Sequence, residues 1–443
     1  MGDSSAASGS PLDRLGGLFA LPRDVLVLSA AMFLFSLGFQ MTSRFLPEYM
    51  VALGASGFVV GLFGTAGNVV SAVFPYPGGA VSDRIGSRYA LTVFGLLSTL
   101  GFAVWFVAPS IGPVTVGGVT IAPWIWIFVG LVLAQAWKSF GLGATFAVVK
   151  QATDPSRLAA GFAGTETFRR MAFLVGPVLA AFLIGLHPSF TRSFQYVLGV
   201  AVLFGAVGTV AQHFLYDASE DTIGDTFEGL SQLRTDFAAL PPELRPLLVG
   251  DTLVRFANGM VYVFFVLVVT QELSVGLETT VSVGGFSTAV SLSPAAFFGY
   301  LLGVEMLVAL LVMIPAARVA EFVGLKPVVA VGFAVYAVFP VLLINAPASA
   351  PALVAVFAFS GLRFAGLPTH KALIVGPAER GTGGRVTGAY YLLRNTIVIP
   401  SAALGGALWD FASPELAFSL AAVIGVLGTG YFLVFGREFE AYA

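Results

Sequence analysis

The sequence of 443 residues contains no cysteine and only three histidines, and charged residues make up just 10% of it. Without cysteine there is no disulfide, no thiolate nucleophile and no thiolate metal site, and three scattered histidines make no metal centre. So little charge excludes an ordinary soluble protein, whose composition includes about a quarter of charged residues. A formal charge of −2 excludes a polybasic grip on nucleic acid. Neither a G-x-x-x-x-G-K-[ST] nucleotide loop nor an H-E-x-x-H or G-x-S-x-G hydrolytic motif occurs, so neither an enzyme nor a cofactor is expected. The first 24 residues are too polar for a cleaved signal peptide, which leaves the first apolar run as its own insertion signal.

What is present is apolar: 57% of the residues are hydrophobic. Runs of about 20 residues, enough to cross about 30 Å of hydrocarbon, recur along the chain. The expected fold is therefore an all-α polytopic membrane protein. Twelve transmembrane helices are read at 25–50, 57–81, 88–108, 122–148, 161–186, 193–215, 246–272, 295–317, 326–345, 350–372, 385–409 and 413–436. Most of the 22 Lys and Arg, among them Arg84, Arg88, Lys326, Lys371 and Arg437, fall on the side shared by the termini, whereas Arg192 stands alone opposite. The positive-inside rule then makes both termini cytoplasmic, and the cell membrane is the expected location.

One long polar interval, 216–245, separates six spans from six. The chain thus divides into a cytoplasmic tail (1–24), a first six-helix bundle (25–215), a cytoplasmic linker (216–245), a second bundle (246–437) and a short tail (438–443). In the linker Phe227, Leu230, Leu233, Phe237 and Leu240 recur at helical spacing, the pattern of an amphipathic helix on the membrane surface or of a solvated connector with one greasy face. The halves also echo one another. Lys138 in WKSFGLG and Arg363 in LRFAGLP each stand three residues before a glycine, and Arg169 and Arg394 occupy matching places in the next span. PGGAVSDRIGSR after span two returns as AARVAEFVGLK after span eight, so that Glu321, Gly324 and Lys326 match Asp83, Gly86 and Arg88.

On these residues the sequence resembles the major facilitator superfamily along its whole length. The family's loop signature G-x-x-x-D-R-x-G-x-R stands here as Gly79, Asp83, Arg84, Gly86 and Arg88, and LPEYMVALGAS (46–56) resembles its link between spans one and two. The resemblance implies two pseudo-symmetric six-helix bundles, a secondary transporter working by alternating access as a monomer, and a cytoplasmic gating role for that motif. In span five Gly176 and Pro177 fit the antiporter pattern G-x8-G-x3-G-P-x2-G-G, while Ala163, Ala172, Ala180 and Ala181 replace its other glycines. The pattern reads equally as antiport or as a small-residue packing face. In span four the family's arginine position holds Trp137, with the base displaced to Lys138, and only Gly141, Gly143 and Ala144 keep the pattern.

Ionisable groups inside spans are costly and mark function or pairing. Glu166 with Arg170 and Asp251 with Arg255 are spaced for intrahelical pairs. Arg44, Lys138, Arg255 and Arg363 lie on spans one, four, seven and ten, which line the central cavity in this superfamily. Lys138 and Arg363 are expected to face each other at a substrate site, while Arg44 either joins them or reaches outward to headgroups. Glu305 is expected either to carry a proton or to serve as counter-ion to Arg363 or Lys138. The two functional readings are proton-coupled efflux of a small organic solute and uptake or exchange of an organic anion; a sensor with a transporter-like fold is a third. The partners expected are a small-molecule substrate, a coupling proton and the lipid bilayer.

Overall fold

The computed structural model describes residues 23–74, 81, 84–116, 118–140, 158–217, 240–283, 286–377 and 383–438. Gly79, Asp83, Gly141, Gly143, Ala144, most of the linker with its expected amphipathic helix, and the outer parts of both tails lie outside these residues, as does the side chain of Glu166.

The described chain is helical apart from two hairpins. The helices are α1 (Arg23–Thr42), α2 (Leu46–Ala52), α3 (Gly57–Val73), α4 (Ser87–Ile111), α5 (Ile125–Gln135), α6 (Leu158–Ile184) and α7 (Phe190–Leu215). After the polar interval come α8 (Arg245–Val261), α9 (Pro294–Val323), α10 (Leu325–Ile344), α11 (Ala350–Gly361), α12 (Leu367–Val375), α13 (Gly383–Val398), α14 (Ser401–Phe411) and α15 (Pro414–Phe435). Among the described residues eight helical segments are long and apolar enough to cross a membrane, and Gly57–Val73 and Ile125–Ser139 are shorter apolar helices. Ser56, Ser293 and Ser413 accept from Val59, Ala296 and Leu416 N–H groups to start α3, α9 and α15. Pro294 and Pro414, in the first turn, stand where no helical N–H is needed.

Several bounds differ from those read in the sequence. The first apolar run is broken between Thr42 and Leu46, the tenth between Gly361 and Leu367 and the eleventh between Val398 and Ser401, and α9 runs on past residue 317 to Val323. The hairpins were not expected: β1 (Val114–Val116) pairs with β2 (Val119–Ile121), and β3 (Leu277–Val283) pairs antiparallel with β4 (Phe286–Leu292), Leu277 opposite Leu292. The alternating Thr, Ser and Val of LETTVSV and FSTAVSL carry the strand signal, which lay in a stretch read only as a loop.

In a bilayer the hydrophobic effect does not press helices together, so close backbone approach and interhelical hydrogen bonds must. The helices pack accordingly at glycine. A methyl on Gly250 would lie 2.9 Å from Gly428 O, and one on Gly406 would lie 2.7 Å from Gly57 O. Ser98 Oγ donates to Ala134 O and accepts from Trp137 N, both at 2.8 Å, locking α4 to the chain that follows α5.

Call the end of the helices near Arg23 and Phe435 proximal and the opposite end distal. At the distal end residues from before and after the polar interval share one hydrophobic core, in which Phe45 meets Phe298 edge-on at 5.7 Å. Toward the proximal end the described core splits in two. One part gathers Leu28, Met32, Phe35, Phe94 and Trp137, and the other Leu247, Val254, Phe333, Ile374 and Phe432. Polar contacts also join the sequence halves distally. Asp410, at the end of α14, accepts from Gly57 N at 3.0 Å and Phe58 N at 2.7 Å, and Glu48 accepts from Thr270 Oγ1 at 2.6 Å and Gln271 Nε2 at 3.1 Å.

Candidate substrate cavity

Below the shared core lies a cavity of about 530 Å3, and Arg44, Lys138, Arg255, Glu305 and Arg363 all line it. Arg394 lines it too, so five cations face one carboxylate among the described lining residues. The wall is completed by neutral hydrogen-bonding groups, notably Gln40, Asn68, Asn258, Tyr262, Tyr336 and Asn395.

Lys138 reaches the cavity because of a change of helix type. After α5 the residues Ala136–Phe140 form a π turn, which fits one extra residue into the helix and advances the side chains around its axis. Trp137 is thereby turned into the protein, where it stacks on Phe35 at 4.4 Å and donates to Gln212 Oε1 at 3.2 Å. The cation one residue on lies 5.6 Å from the Phe39 ring and forms no ion pair with a described residue.

Arg363 arrives by a similar device, on a 3-10 turn (Leu362–Phe364) between α11 and α12. It is 3% exposed and donates from Nη2 to Glu305 Oε1, and Ser360 Oγ bonds the other carboxylate oxygen at 3.2 Å. Arg44 shares Glu305, its Nη2 standing 3.9 Å from Oε1, and stacks over Tyr262 at 3.9 Å rather than reaching outward. Glu305 is therefore a counter-ion to two guanidiniums at once. Arg363 Nε and Nη1 and Arg44 Nη1 have no hydrogen-bond partner among the described residues.

A second charge cluster lies behind the wall. Asp251, fully buried on α8, accepts from Arg255 Nε at 3.3 Å, Arg394 Nη1 at 3.0 Å and Tyr390 OH at 3.0 Å, and His370 Nε2 stands 3.2 Å from its Oδ2 without hydrogen-bond geometry. Arg255 also donates to Tyr336 OH at 3.0 Å. The intrahelical Asp251–Arg255 pair was legible in its spacing; Arg394, His370 and Tyr390 were not, because their approach depends on how α12 and α13 pack against α8. The available signal was a histidine in an apolar run and an arginine with no local acid.

Gly176 and Pro177 lie in close helix contacts. A methyl on Gly176 would stand 2.6 Å from Gln40 Cβ, and one on Gly299 of α9 would stand 2.8 Å from Pro177 O, while Ala172, Ala180 and Ala181 are fully buried. The charged turns sit apart from the cavity residues. Gly86 and Gly324 adopt matching left-handed conformations, φ +81° and +89°, at the starts of α4 and α10. Arg88 Nε donates to His213 O at 2.7 Å, and Arg84 and Glu321 are exposed. The backbone amides of Leu325 and Lys326 donate to Glu438 at 2.7 and 2.9 Å.

Comparison with known proteins agrees with this architecture. Residues 28–303 match the family model of the Major Facilitator Superfamily. An uncharacterised MFS-type transporter of Mycobacterium tuberculosis is 27% identical over 195 residues, covering 44% of this chain and 41% of the relative. The match thus spans about two-fifths of that relative's length. Among solved structures, the nucleoside transporter NupG superposes with a TM-score of 0.69 at 13% identity, covering 94% of this chain and 99% of its own. A peptide transporter POT in complex with sulfate gives 0.68 at 15% identity, with 94% of each chain covered. At such identities the likeness is one of fold. The chain is a multi-pass membrane protein, and it belongs to the Major Facilitator Superfamily.

Proposed function

We propose that the protein moves a small organic anion, a carboxylate or a phosphate ester, through this cavity by alternating access. The observation that carries the reading is the pair of guanidiniums on one carboxylate. Among the described residues Arg363 and Arg44 share Glu305 and keep unpartnered N–H groups, and Lys138 on the same cavity has no ion-pair partner. A buried donor without a partner costs about 1–3 kcal/mol. An anion seated among these groups would recover that cost and neutralise the positive excess. The small-residue pattern around Gly176 and Pro177 lies in close helix contacts, which support a packing role for it.

In this reading the helices group into twelve spans, six before and six after the polar interval, with both termini cytoplasmic. The shared distal core and the split proximal one support a form closed to the outside, and the turns around Gly86 and Gly324, with Asp83, Arg84, Arg88, Glu321 and Lys326, would form the gate on the cytoplasmic side. A proton gradient is the energy source the reading favours.

Thermal denaturation of the purified full-length protein tests the substrate class. Succinate and inorganic phosphate are expected to raise the melting temperature and tetraphenylphosphonium is not; a ligand at 100 times its Kd stabilises by about 2.7 kcal/mol. The anion effect is expected to vanish in Lys138→Ala and Arg363→Ala. Stabilisation by the lipophilic cation alone would refute the reading.

A further inference from the structure

The cluster around Asp251 lies behind the cavity wall and shares Arg255 and Arg394 with the cavity. Asp251 is 0% exposed and His370 4% exposed, so neither meets bulk water directly. Arg255 and Arg394 have a double allegiance: both line the cavity, and both bond Asp251. Any anion that draws these guanidiniums toward the cavity weakens their hold on a carboxylate that cannot be solvated. A buried carboxylate stripped of its cations must either gain a proton or gain another cation. One such group is at hand, 3.2 Å from Oδ2: the imidazole of His370.

We infer that the Asp251–His370 pair is the proton-carrying site of the transporter, and that it takes up a proton when an anion in the cavity engages Arg255 and Arg394. The proton comes from water, settles on the imidazole ring and leaves when the arginines return to Asp251. Anion and proton therefore travel together, and the cycle is a symport. This rests on the anion reading above but assigns coupling to a different group from Glu305, which Arg363 and Arg44 hold as a counter-ion.

The surroundings of His370 leave few other groups to set its charge. From α8 it meets Asp251, with Arg255 beyond it. From α13 come Tyr390, 6.3 Å between ring centres, and Arg394, joined through Asp251. From α10 comes Phe333, 5.7 Å away, while the ionisable residues of that helix are Lys326 and Tyr336. The ionisable residues of α9 are Tyr300, Glu305, Arg318 and Glu321, none of which contacts His370 among the described residues. On its own helix Lys371 points to an exposed position. Asp251 is the one acid in contact among the described residues, so the cations held by Asp251 bear directly on the imidazole. Histidine is the side chain that changes charge most readily near neutrality.

The experiment has two arms on the full-length protein in detergent. In the first, no anion is needed: Arg394→Gln removes one of the cations from Asp251 as an anion would. With only three histidines in the chain, the His370 ring signal in carbon NMR is identified by its loss in His370→Gln. At fixed pH that signal is expected to move toward the imidazolium position in Arg394→Gln, and to show no such move in Arg192→Gln. A signal indifferent to Arg394→Gln overturns the inference whatever the substrate is. In the second arm, sulfate is added to weakly buffered protein and proton uptake is read with a pH dye, while calorimetry reads binding. Uptake in the parent protein, abolished in His370→Gln and Asp251→Asn that still bind sulfate, is the expected result. Undiminished uptake in His370→Gln, or binding with no uptake at all, overturns the inference and leaves the anion cavity standing. Failure of sulfate, succinate and phosphate to bind at all would overturn the anion reading, and the symport with it.

Discussion

Asp410 offers the sharpest test of how the distal end is held shut. Its carboxylate caps α3 from the other sequence half, accepting from Gly57 N and Phe58 N at 3.0 and 2.7 Å. A side-chain cap contributes about 1 kcal/mol, and a negative charge at a helix N-terminus about another 0.5 kcal/mol where it is exposed, as here. Both exist only while α3 and α14 are together, so Asp410→Ala is expected to favour distal opening by about 1.5 kcal/mol, roughly tenfold in population. Asp410→Asn keeps an acceptor and loses the charge, and about 0.5 kcal/mol corresponds to roughly twofold. The chain contains no cysteine, so a reporter at Asn68→Cys, on the cavity wall, needs no prior removal of thiols. An impermeant maleimide applied from the distal side should label that site about ten times faster in Asp410→Ala than in the parent. Asp410→Asn should fall between them. Equal labelling rates in all three, in protein of unchanged melting temperature, would show that the cap carries no part of the closure.

The same assay should separate two glycines of α3. A methyl on Gly61 runs into the Ala402 carbonyl, whereas one on Gly67 meets nothing within 4 Å. Gly61→Ala is expected to speed distal labelling more than Asp410→Ala does, and Gly67→Ala to leave it unchanged. Glu305→Gln leaves Arg363 buried beside a neutral group and should cost about 3 kcal/mol in thermal denaturation. Adding Arg363→Gln should restore most of that loss, which measures the pair as a pair. Trp137→Arg would place a charge where Phe35 and Gln212 now hold an indole, so a fall of about 3 kcal/mol in stability is expected from the same measurement, with no gain in anion binding.

The apolar runs and the ends of most helices could be read from the sequence because each depends on its own residues: about 20 apolar positions, a serine at the start, a proline in the first turn. Gly86 and Gly324 could be matched for the same reason, since each must supply a left-handed turn between two helices. The cavity was partly legible, because an arginine in an apolar run is too costly to stand without a purpose. Which acid answers which base was not. Spacing found Asp251 with Arg255, four residues apart, but Arg394 and His370 reach the same carboxylate over intervals of 143 and 119 residues along the chain. Such pairs depend on helix packing, and local sequence carries no record of it. The π turn at Ala136–Phe140 was visible only as its consequence, a base one place out of register.

The distribution of acids between the halves gives the cavity its asymmetry. Lys138 and Arg44 come from the first half, and no acid from that half lines the cavity among the described residues. Both Asp251 and Glu305 belong to the second. The cations of the second half thus carry their counter-ions with them in any rigid movement, while Arg44 depends on Glu305 across the divide at 3.9 Å and Lys138 has no acid partner among the described residues. If the halves rock, the Arg363–Glu305 and Arg394–Asp251 pairs move intact and the Arg44–Glu305 contact must stretch. In an empty cavity that leaves a guanidinium and an ammonium facing only neutral groups, which opposes the movement. An anion bound between Arg44, Lys138 and Arg363 would remove that penalty in either orientation. On the anion reading, substrate binding would lower the barrier to rearrangement by supplying the charge that the first half lacks.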